Sequence, residues 1–168
     1  PVIAHSFADP TPHVDEAHAA GLLVVAQVQS VAQARVAVAA GVDAIADQGT
    51  EAGGHTGYSA TLPLVPAVVD AVGSGVPVIA AGGIADGRGF AAALMLGADG
   101  VWLGTRFVAS VEAKQEDWSK RRIVAASADD TVLTKAYDLA TRAPFPDGIA
   151  DRVLRNPYTE RWHGRDAD

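Results

Sequence analysis

Residues 76–107 read VPVIAAGGIADGRGFAAALMLGADGVWLGTRF. An apolar run, Val76–Ala81, breaks at Gly82-Gly83. Asp86 can then cap a helix over Gly87–Leu96, which Gly97 stops. A second run, Gly100–Leu103, breaks at Gly104-Thr105. Strand, glycine turn, helix and strand within about 30 residues make one βαβ unit. Its strands are nearly continuous in apolar character rather than alternating, the pattern of a parallel sheet covered on both faces.

Toward the amino terminus the same unit repeats. Val2–Phe7, Leu22–Val28 and Asp43–Gln48 read as three more buried strands. Thr11-Pro12 can cap and start a helix running to Ala20, with Gly21 as its stop. Ser30 and Gln33 have capping-box spacing ahead of Val31–Ala40, which Gly41 ends. Leu64–Val72 makes another helix after a glycine-rich loop. The order β-α-β-α-β-α-β-α-β fits an open doubly wound sheet or part of a βα barrel. A standard barrel uses about 250 residues for eight units, so 168 residues are too few to close one.

After Phe107 the texture changes. Glu112–Ala126 is charged and reads as helix, and Thr131–Tyr137 as a short extended segment or turn. Ala143–Gly148, with two prolines, reads as loop, and Asp151–Arg165 as a last helix or a tail. The expected organisation is a βα-barrel portion with its loops over residues 1–111 and a helical tail packed on it over residues 112–168.

Composition narrows the function. The chain is 49% hydrophobic and 20% charged, with a formal net charge of −7. That is an ordinary globular balance, and the negative charge argues against nucleic acid or an anionic membrane as partner. No apolar run approaches the ~20 residues that span a bilayer. Cysteine is absent, which excludes disulfides, thiolate metal sites and a thiol nucleophile. No signal peptide is read in Pro1–Phe7, so the cytoplasm is the expected location. The chain does not start with Met, which suggests a piece of something longer.

Three motifs carry chemistry, each where a strand ends, which is where parallel α/β folds place their sites. The first is Gln48-Gly49-Thr50-Glu51-Ala52-Gly53-Gly54-His55-Thr56-Gly57. Gly53, Gly54 and Gly57 let backbone approach a ligand without a Cβ in the way. His55 among them can serve as a general base at neutral pH. The second is Gly82-Gly83 leading into a helix start, whose N–H groups can hold a phosphate. The third is Gly104-Thr105, which offers amide and hydroxyl donors to the same phosphate. Neighbouring strand ends of this kind form the phosphate site of many barrels. His5 reads as a core or rim residue, and His13, His18 and His163 as surface residues. Asp15-Glu16 and Asp129-Asp130 read as solvated faces or caps. Trp118 and Trp162 read as packing residues. No HxH, HExxH or DxDxDG pattern suggests a metal site. GxGxxG is missing, which weakens the doubly wound nucleotide-binding alternative.

The strings DAIADQGTEAGGHTG, PVIAAGGIADGRGFAAALMLGADGVWLGTRF and VIAHSFADP together resemble the nitronate monooxygenase family, in order and spacing from about Pro1 to Glu112. The TVLTKA segment and the Arg–Asn pair at Asn156 also look like the family's tail. The resemblance implies a TIM barrel that binds FMN non-covalently. It implies oxidation of alkyl nitronates, and in some members nitroalkanes, with O₂ to carbonyl compounds and nitrite. It implies His55 as the base and flavin contacts at Gln48, Gly53, Gly83 and Trp102, Leu103, Gly104 and Thr105, with Gly54 and Gly82 shaping the site beside them. Trp102 departs from the residues common at its position in the family. VIAHSFADP aligns with the family's fourth strand, so the first three βα units are missing. The expectation is therefore a partial barrel of about five strands. Its exposed edges would be covered by dimerisation, here a homodimer. An FMN-dependent NAD(P)H reductase acting on an enoyl thioester or a quinone, and a non-catalytic half-barrel, are the alternatives. The purine-nucleotide dehydrogenase barrels are excluded, because they need a cysteine nucleophile.

Overall fold

The computed structural model describes residues 1–165. Its strands are β1 (Val2–Ser6), β2 (Leu23–Val28), β3 (Ala44–Gln48), β4 (Gly54–Thr56), β5 (Val78–Ala81), β6 (Gly100–Trp102), β7 (Thr131–Thr134) and β8 (Ala150–Leu154). Its helices are α1 (Thr11–Ala19), α2 (Val31–Ala39), α3 (Thr61–Val72), α4 (Gly87–Met95), α5 (Thr105–Val108), α6 (Asp117–Ala125), α7 (Ala136–Thr141) and α8 (Pro157–Trp162). Among the described residues, no helix is long and apolar enough to cross a membrane.

The five expected strands form one parallel sheet in the order β1-β2-β3-β5-β6. That order follows the chain without reversal. A doubly wound sheet reverses its order at the point where ligands bind, so the doubly wound alternative is set aside. One face of the sheet packs on the helices. Val24, Ala26, Val28, Ile45 and Val78 meet Val14 of α1, Ala34 and Ala37 of α2, and Leu64 and Val68 of α3. A second cluster joins Ala80 to Val65, Ala93 and Ala98. The expectation of burial on both faces holds for β2 and β3, but β1 lies at the edge and is exposed except at His5.

Local chemistry sets the boundaries. Phe7 adopts φ +63° and ends β1 one residue early. Gly21, Gly41 and Gly97 stop α1, α2 and α4 with φ of +74°, +87° and +96°. Asp86 caps α4 by accepting from the N–H of Arg88 and Gly89. Thr11 does not cap α1; its own N–H and hydroxyl donate to Asp9. Ser30 caps α2, but the Gln33 side chain accepts from the N–H of Gln29 rather than Ser30, so the capping box is not closed. α3 begins at Thr61, three residues before the expected Leu64.

The larger departure is a second sheet, antiparallel, in the order β4-β8-β7. Within Asp151–Arg165, residues 151–154 are strand rather than helix or tail, and only Pro157–Trp162 is helical. Residues 54–56, inside the expected loop, pair with Ala150–Arg152. The carboxyl-terminal segment thus clamps the glycine-rich motif through backbone hydrogen bonds. Helix in Glu112–Ala126 is confined to Asp117–Ala125. Trp118 is 59% exposed, contrary to a packing role, whereas Trp162 packs beside Tyr158 and under Arg161.

Candidate active site

The loop from Gly49 to Gly53 wedges against the ends of the next two strands of the parallel sheet. Gly49 N–H donates to the Ala81 carbonyl. Thr61 at the head of α3 is the hub: its hydroxyl reaches Glu51 (2.6 Å) and the Gly82 carbonyl (3.1 Å). Burial would raise the Glu51 carboxyl, but hydrogen bonds from the Thr61 hydroxyl and N–H outweigh it and hold the carboxyl below its ordinary range. Arg152 of β8 crosses back to donate from Nε to the Thr50 carbonyl at 2.8 Å. No sequence motif marked Thr61 or Arg152; both act through contacts distant along the chain.

The spacing admits only glycine at several points. A Cβ on Gly82 would lie 2.7 Å from the Gly49 carbonyl oxygen, and φ there is +106°. A Cβ on Gly83 would lie 2.9 Å from Glu51 Cβ. A Cβ on Gly53 would overlap the Thr105 hydroxyl. The loop thus touches both neighbouring strand ends, Gly53 meeting Thr105 while Gly49 and Glu51 meet Gly82 and Gly83. Gly104 leads into the single turn of α5, and its carbonyl accepts from Phe107 and Val108. Trp102 pairs in register with Ala81 on the edge strand, 42% exposed, and Leu103 is half-buried beyond it. Gly54 starts β4 with φ +83°, opposite Arg152.

These features bear on whether the residues fit a flavin phosphate. The ends of β5 and β6 carry glycine backbone at Gly82-Gly83 and Gly104, followed by the Thr105 hydroxyl; Gly82 and Gly83 pack against Gly49, Thr61 and Glu51, and nothing lies within 4 Å of a Cβ built on Gly104. That donor set suits a phosphate group.

Gln48 ends β3. Its Oε1 accepts from Gln27 Nε2 at 3.0 Å and Gln29 Nε2 at 3.1 Å, so its own amide nitrogen remains the group it can offer a ligand. Its neighbour Asp47 lies in register between Val28 and Ala80, fully buried, and neither carboxylate oxygen has a partner. Burial pushes this carboxyl up to about 7.

His55 stands on β4 amid residues that the motifs did not reveal. Its Nε2 is 2.8 Å from Asp138 Oδ1 on α7. Phe145 stacks on the ring, with centroids 3.6 Å apart and planes at 12°. Phe7, just beyond the end of β1, meets the same ring edge-on at 6.3 Å. Asp151 lies opposite His55 across the β4–β8 pair. Burial raises its carboxyl and the Asp138 charge adds to that, while His55 opposes both. The arrangement is an imidazole held between carboxyl groups on one side and an aromatic wall on the other. It is 24% exposed at the side chain, so it can be approached. His5, by contrast, faces His13 with rings 5.6 Å apart, and burial lowers its pKa, with His13 adding to the effect. His18 pairs with Asp43 at 2.9 Å.

The family model described as nitronate monooxygenase matches residues 1–161. A Mycobacterium tuberculosis protein named as a monooxygenase is 45% identical over 99% of this chain and 42% of its own. A nitronate monooxygenase homologue of Staphylococcus aureus is 39% identical over 100% of this chain and 47% of its own. Among solved structures, FabK from Thermotoga maritima superposes with a TM-score of 0.83 at 45% identity, covering 94% of this chain and 47% of that one. Nitroalkane oxidase from Streptomyces ansochromogenes superposes with a TM-score of 0.84 at 32% identity, covering 97% and 47%. The chain thus spans under half the length of the curated relatives it matches, and its five parallel strands are part of a TIM barrel. By sequence and by fold, the chain belongs to the nitronate monooxygenase family.

Proposed function

We propose that this chain carries the base and the phosphate-binding side of an FMN-dependent oxidoreductase. In that reading it oxidises alkyl nitronates and nitroalkanes with O₂ to carbonyl compounds and nitrite. One observation carries the proposal. The loop that bears His55 packs against Gly82-Gly83 and Thr105, which supports reading His55 and these glycines as parts of one site.

A bound FMN would supply the redox chemistry between substrate and O₂. The chain's own residues do the rest. Backbone N–H groups at Gly83, Gly104 and Thr105 hold the phosphate, with the Thr105 hydroxyl beside them. Gln48 and Gly53 contact the cofactor, Gly54 and Gly82 keep the cradle open, and Trp102 and Leu103 border it. His55 takes the α-proton of a nitroalkane, whereas a nitronate needs no base. Phe7 and Phe145 wall the imidazole and suit an alkyl substituent. The proposed setting is cytoplasmic, and the proposed assembly a homodimer.

A second reading has its own support: an FMN-dependent NAD(P)H reductase acting on an enoyl thioester or a quinone. The likeness to FabK favours it. So does a Mycobacterium tuberculosis indene-carboxyl-CoA dehydrogenase that is 48% identical over 84% of this chain and 38% of its own. The test begins with the visible spectrum of the purified chain, with and without added FMN. Nitronate under air and NADH with an acceptor are then supplied in parallel. Flavin absorbance with nitronate consumption supports the first reading, and NADH oxidation without it supports the second. A chain that takes up no FMN at micromolar concentration is a half-barrel without catalysis of its own.

A further inference from the structure

We infer that Asp138 is a positioning residue that fixes the tautomer of His55 and so selects Nδ1 as the atom that accepts the proton. The inference rests on the reading of His55 as a base. A carboxylate can only accept a hydrogen bond, so the hydrogen in the 2.8 Å contact sits on Nε2. The other ring nitrogen, Nδ1, is then left with its lone pair. A proton leaving a substrate carbon goes to Nδ1. The imidazolium that results keeps Nε2–H on Asp138, whose negative charge stabilises it.

Three features separate this from an ordinary structural tie. The ring cannot turn freely, because Phe145 lies on its face at 3.6 Å and Phe7 meets it edge-on. The Asp138 side chain is 13% exposed against 24% for His55, so the carboxylate is the more shielded of the two. Asp138 Oδ2 is buried and has no hydrogen-bond partner, so the carboxylate's hydrogen bonding is directed to His55. The other charged group facing the pair is Asp151 of β8, whose carboxyl burial pushes toward the neutral form. Arg152 beside it is turned away, to Thr50 and Thr131.

The experiment is long-range ¹⁵N–¹H correlation on the ¹⁵N-labelled chain. His55→Asn assigns the ring signals among the five histidines. The expected wild-type pattern is a protonated Nε2 and a bare Nδ1 in the neutral ring. In Asp138→Ala and Asp138→Asn that preference is lost, and nitroalkane kcat/KM falls at least about tenfold while nitronate turnover is kept. A wild-type ring protonated at Nδ1 overturns the inference even if no variant folds. An unchanged tautomer in Asp138→Ala overturns it as well. Loss of nitronate turnover in the wild type strikes the functional reading instead, since the tautomer is read without turnover.

Discussion

Asp47→Asn is the substitution whose consequence can be worked furthest. The Asp47 carboxyl is fully buried between Val28 and Ala80, and neither oxygen has a partner. Burial raises it from the ordinary 3.8 to about 7 in the folded state. A carboxyl raised on folding holds its proton where the unfolded chain has lost it. Its contribution to stability is therefore fully present below pH 3.8 and falls away as pH rises toward 7. About three pKa units at 1.36 kcal/mol each set an upper limit of about 4 kcal/mol on the loss, of which about 3 kcal/mol falls between pH 5 and pH 8. Asparagine has nearly the same shape and cannot ionise. Its amide shares the want of partners at every pH, so its cost does not vary. Urea unfolding followed by far-ultraviolet circular dichroism at pH 5 and pH 8 gives four free energies. The histidines titrate in both proteins and cancel in the double difference. The expected result is a variant that gains on the wild type by about 2–3 kcal/mol on moving from pH 5 to pH 8. A difference between the two proteins that stays constant with pH would refute the argument.

Other expectations concern the wedge that builds the cradle. Thr61→Val removes the hydroxyl that joins Glu51 to the Gly82 carbonyl; the expected loss is about 1–2 kcal/mol in urea unfolding, together with weaker FMN uptake in a fluorescence-quenching titration. Gly82→Ala forces a Cβ against the Gly49 carbonyl at positive φ, so a loss of about 1–3 kcal/mol is expected, with FMN binding at least about tenfold weaker.

What could be read from the sequence was local. The five parallel strands, the cap at Asp86 and the glycine stops at 21, 41 and 97 depend on neighbours a few residues away. The glycines at the ends of β5 and β6 were legible for the same reason, because they interrupt apolar runs. The pairing of Gly54–Thr56 with Ala150–Arg152 was not legible, since three residues beside glycines look like loop and their partner lies far along the chain. Asp138, Phe145 and Phe7 meet His55 from three elements, and no spacing rule joins them. Asp47 read as part of a strand end, and only its burial without a partner reveals how costly its charge is. Thr61 is the plainest case, because a threonine before an apolar helix looks like an ordinary start.

The most direct test of the central claim is nitrite release under air from the FMN-loaded chain, measured with an alkyl nitronate and with its parent nitroalkane, in the wild type and in His55→Asn. The account predicts nitrite from the nitronate in both proteins, and from the nitroalkane in the wild type only. No nitrite from the nitronate in a wild-type chain that holds FMN would contradict the proposed oxidation, and equal nitroalkane turnover in the two proteins would contradict the role of His55.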